Sequence, residues 1–198
     1  LYGATKLASD KLFIAANNVV GSRRDTRFSV VRYGNVVGSR GSVIPYFKKL
    51  IEQSNKPLPI THREMTRFFI TLRQGVSFVL DSFNRMHGGE VFVPKLPSVR
   101  ILDIAKALAP SRPIVITGIR AGEKLHEVLC TSDESRLTLE FDEYYLTTPA
   151  IRFYRGDLDY ERSESGEFGA RVKDGFEYTS ETNPYFLTGE DLRRLTIC

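Results

Sequence analysis

The chain has 198 residues, enough for one sizeable domain or parts of two, and its 41% hydrophobic and 26% charged content is ordinary for a globular protein. No stretch approaches the apolar length that spans a membrane, and its two cysteines and three dispersed histidines provide neither a disulfide framework nor metal-ligand spacing. The net charge of +4 is spread along the chain, apart from a small cluster at 22–27 that we interpret as a solvated loop. We therefore expect a cytoplasmic protein without a metal, a membrane span or a nucleic-acid partner.

Residue spacing and glycine placement predict the secondary structure. In chain order they indicate a helix at 2–17, a strand at 28–33, a loop at 34–42, a helix at 43–53, extended segments at 56–60 and 65–72, a helix at 74–85, a strand at 90–94, a helix that Ser98 caps and that runs through Leu108, a strand at 113–117, and a helix at 122–129. Residues 152–185 lack periodicity and predict extended or irregular structure, and Thr188 begins a capped terminal helix. The alternation of strands and helices predicts an α/β fold.

Tyr2 and Lys6 lie four residues apart on the first predicted helix, so we expect both on one face. A phenol is a poor base at neutral pH, but a nearby ammonium favours the phenolate. Such a pair can act as a general acid/base on a sugar hydroxyl while hydride moves to a nicotinamide. The same spacing arises readily by chance in a chain with nine tyrosines. Taken alone, the pair favours an exposed helix without a catalytic function.

Further motifs give the pair its context. The run YGATKLASDK at 2–11 resembles the catalytic helix of extended short-chain dehydrogenases/reductases, and RYGNVVG at 32–38 resembles their R-x-x-N-V-x-G segment. Together with MTRF at 65–68, GGEVFVPK at 88–95 and GIRAGEKLHE at 118–127, these motifs resemble the UDP-N-acetylglucosamine 4,6-dehydratases, in particular the inverting enzymes of pseudaminic acid biosynthesis. One departure is Ala121, where the family usually has proline.

The resemblance implies a domain layout. It identifies the chain with the C-terminal part of a Rossmann-type doubly wound sheet plus a smaller mixed α/β substrate-binding domain. Residues 1–40 would end the NADP-binding domain, and residues 41–150 would form the substrate-binding region, with a Rossmann strand returning near 90–94. Residues 151–198 would be an irregular tail with a terminal helix. The chain begins without Met inside the catalytic motif, so we expect it to be a piece of a longer protein.

The resemblance also implies how the cofactor is held. Tyr2 and Lys6 would be catalytic and would contact NADP, or NAD as the alternative. Val43, Ile44 and Pro45 would lie near the cofactor or nucleotide. A helix that buries Ile44 in the core is compatible with the same residues. In the longer protein, these 198 residues would be preceded by the glycine-rich pyrophosphate loop and by the Asp and Lys residues of the elimination chemistry.

Four residues are expected to contact the substrate: Asn35, Arg67, Arg120 and Glu123. Asn35 follows a predicted strand, where an open α/β sheet usually binds ligand, although a turn asparagine explains it too. Arg67 stands in an apolar segment and needs a partner, so a structural salt bridge and a nucleotide contact are equally favoured. The resemblance implies that Arg120 binds the diphosphate and that Glu123 binds a ribose or uracil group. The alternative is that these residues form a simple helix cap.

The expected activity is therefore that of a lyase acting on a UDP-sugar. It would convert UDP-N-acetylglucosamine to a 4-keto-6-deoxy sugar with C5 inversion, and the enzyme would be a homo-oligomer. We expect the chain alone to be inactive. An epimerase or reductase on the same scaffold, or a non-catalytic module that binds nucleotide sugars, are the alternatives.

Overall fold

The computed structural model describes residues 2–21, 25–151 and 158–196. The helices within these ranges are α1 (Tyr2–Val20), α2 (Val43–Gln53), α3 (Leu72–Arg85), α4 (Ile101–Leu108) and α5 (Gly189–Thr196). The strands are β1 (Val30–Val31), β2 (Asn35–Val36), β3 (Leu58–Ile60), β4 (Thr66–Ile70), β5 (Val91–Pro94), β6 (Ser98–Arg100), β7 (Ile114–Ile116), β8 (Val128–Cys130), β9 (Thr138–Glu140), β10 (Tyr144–Thr147), β11 (Ala170–Arg171) and β12 (Tyr178–Thr179). A 3-10 helix spans Ser132–Leu137. The α/β fold class is confirmed.

Most predicted elements are present, and two predictions are wrong. Ser98 does not cap α4, because it is a buried member of β6, and Arg100 holds the cap position. The helix predicted at 122–129 is a turn followed by β8, which pairs with β12. The terminal helix is capped as predicted: the Thr188 backbone N–H donates to Asp191 Oδ2 at 2.9 Å, and the Asp191 N–H donates to Thr188 Oγ1 at 3.3 Å.

The chain forms two compact units. The first contains Leu1–Arg32, Val76–Lys95 and Cys130–Glu177. Its sheet has the order β1-β5-β10-β9-β11, with β1 parallel to β5 and β10 antiparallel to both of its neighbours. The apolar core of this unit packs α3 side chains such as Phe78 against strand residues such as Phe92, which is fully buried.

The second unit contains Tyr33–Gly75, Leu96–Leu129 and Tyr178–Cys198. Its strands form the sheet β2-β4-β6 and the parallel pair β3-β7. One apolar core joins α2, α4 and α5 to these strands. Its most enclosed members have at most 1% exposed surface: Phe47, Leu58, Ile60, Val99, Ile104, Ala105 and Leu192.

Each unit is assembled from three separate segments, so compactness does not follow the order of the chain. The assignment of cofactor and substrate roles to 1–40, 41–150 and 151–198 stays a prediction. In the described part of the chain, no helix is both long and apolar enough to cross a membrane.

Candidate functional site

A cavity of about 430 Å³ opens in the second unit. This volume is within the usual range for small-molecule sites. Its walls combine apolar side chains of the core with a few polar ones, and the polar side chains include Asn35, Ser42, Thr61, Arg67, Arg120 and Glu123. The structure thus brings the four predicted substrate-binding residues, which come from three separate parts of the sequence, to one cavity.

Asn35 reaches the cavity from β2, which is parallel to β4 with Asn35 opposite Phe69. The preceding residue must be glycine: a Cβ on Gly34 would overlap the backbone of Phe68 on the adjacent strand. This close approach sets Asn35 at the edge of the sheet, where it is exposed. Among the described residues, no hydrogen-bond partner lies within reach of its side-chain amide, so this group is available to a ligand.

The amino end of α2 forms a second wall. Ser42 caps the helix in extended conformation, with φ −77° and ψ 167°, but its side chain makes no capping hydrogen bond. Within the described ranges, its buried Oγ has no hydrogen-bond partner at all. An unpaired buried hydroxyl is costly unless a ligand satisfies it. Together with the backbone N–H groups of Val43 and Ile44 in the first helical turn, it suits an anionic oxygen.

Of the three α2 residues that were predicted to contact the cofactor, two line the cavity and one does not. Val43 and Ile44 line the cavity and also pack against the apolar core, and Ile44 is 4% exposed. Burial of Ile44 in the core, weighed from sequence as an alternative, therefore holds. Pro45 is half-buried in the first turn of α2 and does not line the cavity.

Arg120 and Glu123 are the ends of one tight turn. The Glu123 backbone N–H donates to Arg120 O at 3.0 Å, and the Arg120 N–H donates to Glu123 Oε2 at 3.2 Å. Gly122, at φ +80°, provides the left-handed residue that a type II turn requires at its third position. Ala121 occupies the second position, where proline is favoured. The Arg120 side chain is exposed and, in the described part of the chain, has no carboxylate within ion-pair distance.

Arg67 reaches the cavity from β4 but is bound mainly to protein. Its Nη1 donates to the backbone oxygens of Thr66 at 2.7 Å and Leu125 at 3.0 Å, and Nη2 donates to Lys124 O at 2.8 Å. Its Nε lies 3.4 Å from Glu127 Oε1. Burial lowers the pKa of the Arg67 guanidinium, while the negative charge of Glu127 partly opposes that shift.

Tyr2 and Lys6 belong to the first unit, where both are part of α1. Lys6 is exposed, and the Tyr2 side chain lies outside the described residues. A half-buried arginine fixes this helix: Arg32 Nε donates to Asp10 Oδ2 at 2.9 Å, and its two terminal nitrogens donate to Glu134 at 3.0 and 3.1 Å. These contacts join α1 to the 3-10 helix within the first unit.

Sequence reasoning missed two polar groups of the cavity. It placed Ser42 at the end of the loop at 34–42, and nothing in the sequence reveals that its hydroxyl is unpaired. Thr61 follows β3, which is parallel to β7. A polar residue directly after a buried parallel strand is a signal that could have identified Thr61.

Comparisons with known proteins agree with the resemblance inferred from the motifs. Residues 1–149 match the family described as "Polysaccharide biosynthesis protein". A "UDP-N-acetylglucosamine 4,6-dehydratase (inverting)" from Campylobacter jejuni subsp. jejuni serotype O:2 is 59% identical over 192 residues, which are 97% of this chain and 57% of the relative. A "UDP-glucose 4-epimerase" from Rickettsia bellii (strain OSU 85-389) is 42% identical over 72% of this chain and 42% of the relative.

A solved structure agrees as well. The "X-ray structure of Pen from Bacillus thuringiensis" superposes with a TM-score of 0.80 at 30% identity, covering 99% of this chain and 56% of that one. The chain thus spans 57% of the Campylobacter relative and 56% of the solved chain. Since the family match extends over 149 of its 198 residues, the chain belongs to the polysaccharide biosynthesis protein family.

Proposed function

We propose that the full-length protein is an inverting UDP-N-acetylglucosamine 4,6-dehydratase, a hydro-lyase. It would remove water from the sugar, giving a UDP-linked 4-keto-6-deoxy-hexosamine inverted at C5. The observation that carries the proposal is the meeting of Asn35, Arg67, Arg120 and Glu123 at one cavity of about 430 Å³. The 59% identity to an enzyme of that name adds support.

The polar groups of the cavity suit a nucleoside diphosphate sugar. The exposed Arg120 guanidinium would bind diphosphate oxygens in bidentate fashion. Glu123 keeps one carboxylate oxygen free of the turn and would accept a hydrogen bond from ribose or uracil. The Asn35 amide would bind a phosphate or sugar oxygen, and the unpaired Ser42 hydroxyl would donate to an anionic oxygen.

The motif resemblance also supports a nicotinamide dinucleotide as cofactor, NADP first and NAD as the alternative. Lys6 is exposed on α1, one helical turn from residue 2, where a cofactor ribose can be held. Val43, Ile44 and Pro45 lie at the amino end of α2, where the backbone N–H groups of Val43 and Ile44 would suit a phosphate. When bound, the nicotinamide would accept hydride from C4 of the sugar and return it at C6. Tyr2 would take the proton of the 4-hydroxyl group, supported by the charge of Lys6.

The cellular setting is part of the proposal. We place the protein in the cytoplasm, where its buried free thiol Cys130 would stay reduced. Its product would feed a surface glycan, with pseudaminic acid and flagellin glycosylation as the specific route. We propose a homo-oligomer, without a membrane or nucleic-acid partner.

The test uses the full-length protein, with any sequence that flanks these 198 residues. Incubation with UDP-N-acetylglucosamine should yield a product lighter by one water, with solvent deuterium at C5 by NMR. Tyr2→Phe should lower turnover by about 10²-fold or more. Tyr33→Phe, at an exposed tyrosine outside the cavity, should leave it unchanged. The isolated 198-residue chain, covering 57% of its relative, should be inactive.

A 4-epimerase is the second candidate, because the Rickettsia relative bears that name at 42% identity. It would give a product of unchanged mass, which would refute the dehydratase. A reductase would consume reduced cofactor in stoichiometric amounts. Nucleotide-sugar binding without turnover in the full-length protein would instead indicate a non-catalytic module.

A further inference from the structure

We infer that Arg32 is a positioning residue for the proposed dehydratase. Through Asp10 and Glu134 it fixes the helix α1, and it does not itself touch substrate or cofactor. The inference rests on the proposed function, in which Tyr2 and Lys6 on that helix move a proton. All five residues belong to the first unit.

Asp10 continues the face of α1 that carries the proposed catalytic pair. Positions 2, 6 and 10 follow one another at intervals of four, which places them on one side of the helix about one turn apart. The side chains at 4–9 are exposed, whereas that of Asp10 is only 20% exposed. Asp10 is thus a point at which this face of the helix meets the rest of the unit. Because a helix moves as a stiff element, a shift at Asp10 carries through to Lys6 and Tyr2.

Arg32 is itself fixed to the sheet. It directly follows β1, and its backbone N–H donates to Phe92 O on β5 at 2.9 Å. Its guanidinium spans two carboxylates: Nε donates to Asp10 Oδ2 at 2.9 Å, and the terminal nitrogens donate to the two oxygens of Glu134 at 3.0 and 3.1 Å. One side chain thereby ties α1 both to a strand and to a residue 102 positions further along the chain.

Glu134 is a firm anchor because its own backbone is fixed. It is the third residue of the 3-10 helix, where its backbone N–H donates to Thr131 O at 3.0 Å. Its Oε2 also accepts from the Thr131 backbone N–H at 3.3 Å. Lysine cannot replace Arg32 between its two partners, because one ammonium cannot donate to Asp10 and to both oxygens of Glu134 in this planar arrangement.

The same unit contains a second arginine with the same chemistry, whose partner is not on α1. Arg85 Nε and Nη2 donate to the two carboxylate oxygens of Glu167 at 2.8 and 2.9 Å. The Arg85 side chain is 15% exposed, against 16% for Arg32. Arg85 ends α3, so loss of its pair disturbs the unit to a similar degree without displacing the helix of the catalytic pair.

The experiment measures turnover and UDP binding of the full-length protein separately. Arg32→Lys should lower kcat on UDP-N-acetylglucosamine about tenfold, because misplacement of the reacting groups slows the chemistry. Calorimetry with UDP should give the wild-type stoichiometry and a Kd within about twofold of wild type, which shows that the variant is folded and its cavity intact. Arg85→Lys is the matched control and should keep kcat within about twofold of wild type.

A double substitution locates the effect. In a Tyr2→Phe background, Arg32→Lys should lower the residual kcat by less than about threefold, because the group that Arg32 positions is already gone. Asp10→Asn keeps the shape of the side chain and provides a milder perturbation should Arg32→Lys fold poorly. It should lower kcat by about threefold, because it weakens one charge-assisted hydrogen bond.

An unchanged kcat in Arg32→Lys or in Asp10→Asn would overturn the inference, and so would a full tenfold loss in the Tyr2→Phe background. An equal loss in Arg85→Lys would overturn it in favour of a general effect on folding. Weaker UDP binding by Arg32→Lys would overturn it in favour of an effect on the substrate cavity. A wild-type protein that binds UDP but removes no water from the sugar would instead refute the proposed function on which the inference rests.

Discussion

The Arg32–Glu134 pair offers a direct test of how the first unit holds α1. Glu134 receives two hydrogen bonds from the Arg32 guanidinium, at 3.0 and 3.1 Å, and both side chains are 16% exposed. Burial by itself raises the pKa of Glu134, but the hydrogen bonds and charge of Arg32 outweigh burial and lower it overall. Replacing Glu134 by Gln keeps the size of the side chain and removes its charge.

The size of the effect follows from what glutamine can still do. Its amide oxygen can accept one of the two bonds, so about one charge-assisted hydrogen bond is lost, worth roughly 1.5–3 kcal/mol. Arg32 keeps its bond to Asp10 at 2.9 Å, so the larger penalty of an unpaired buried charge is avoided. We expect Glu134→Gln to lower the free energy of unfolding by roughly 1.5–3 kcal/mol.

Urea unfolding of the chain, followed by far-UV circular dichroism because it contains no tryptophan, measures this loss. The matched control is Glu161→Gln, which breaks the exposed pair with Arg171 in the same unit and should cost about 0.5 kcal/mol or less. Equal effects of the two substitutions would refute the reasoning.

The same pair predicts a pH dependence. Because the pKa of Glu134 is lower in the folded chain than in the unfolded one, its contribution is complete above the unfolded value near 4.5. That contribution disappears as the pH falls through the folded pKa. The stability gap between wild type and Glu134→Gln should therefore narrow in acid, and a constant gap between pH 7 and pH 3 would contradict this account.

Three further predictions test local packing. Gly34→Ala should lower the free energy of unfolding by at least about 2 kcal/mol, because the new Cβ overlaps the backbone of β4. Gly75 lies inside α3, and a Cβ there would meet nothing closer than the Ile70 side chain at 3.8 Å, so Gly75→Ala should raise the free energy of unfolding by about 0.5–1 kcal/mol. Similar effects of the two substitutions would show that space is not the cause. Ala121→Pro should raise the unfolding free energy by roughly 0.4–1 kcal/mol by rigidifying the second position of its turn, and a loss would mean that the backbone there does not fit proline. Burial raises the pKa of the Cys130 thiol to about 12, so in a variant without the other cysteine it should react with Ellman's reagent at pH 8 only after denaturation; rapid reaction of the folded chain would contradict its burial.

The local sequence determines those elements whose signals lie within them. Helical spacing over 43–53 defines α2 at both ends, and Thr188 with Asp191 defines the start of α5. The α/β class follows from alternating elements. These features depend on neighbours a few residues apart, and such neighbours are what a sequence pattern records.

Tertiary pairing decides the elements that were predicted wrongly. Residues 122–129 carry apolar side chains at helical spacing, but Leu125 packs into the core of the second unit and β8 pairs with β12 about fifty residues later. Ser98 resembles a helix cap locally, yet β4 recruits it into β6. A strand partner so distant in sequence leaves no periodic pattern in the local sequence of the residue whose secondary structure it changes.

The site shows the same division. Motif resemblance was sufficient to select Asn35, Arg67, Arg120 and Glu123, and folding brings them to one cavity. Motif resemblance could not distinguish the environments of Arg67 and Arg120, because these two arginines differ in whether backbone oxygens occupy their hydrogen-bond donors. The carbonyl groups that Arg67 binds at positions 124 and 125 belong to every residue type, so only the tertiary structure could show that its donors are occupied while those of Arg120 face the cavity.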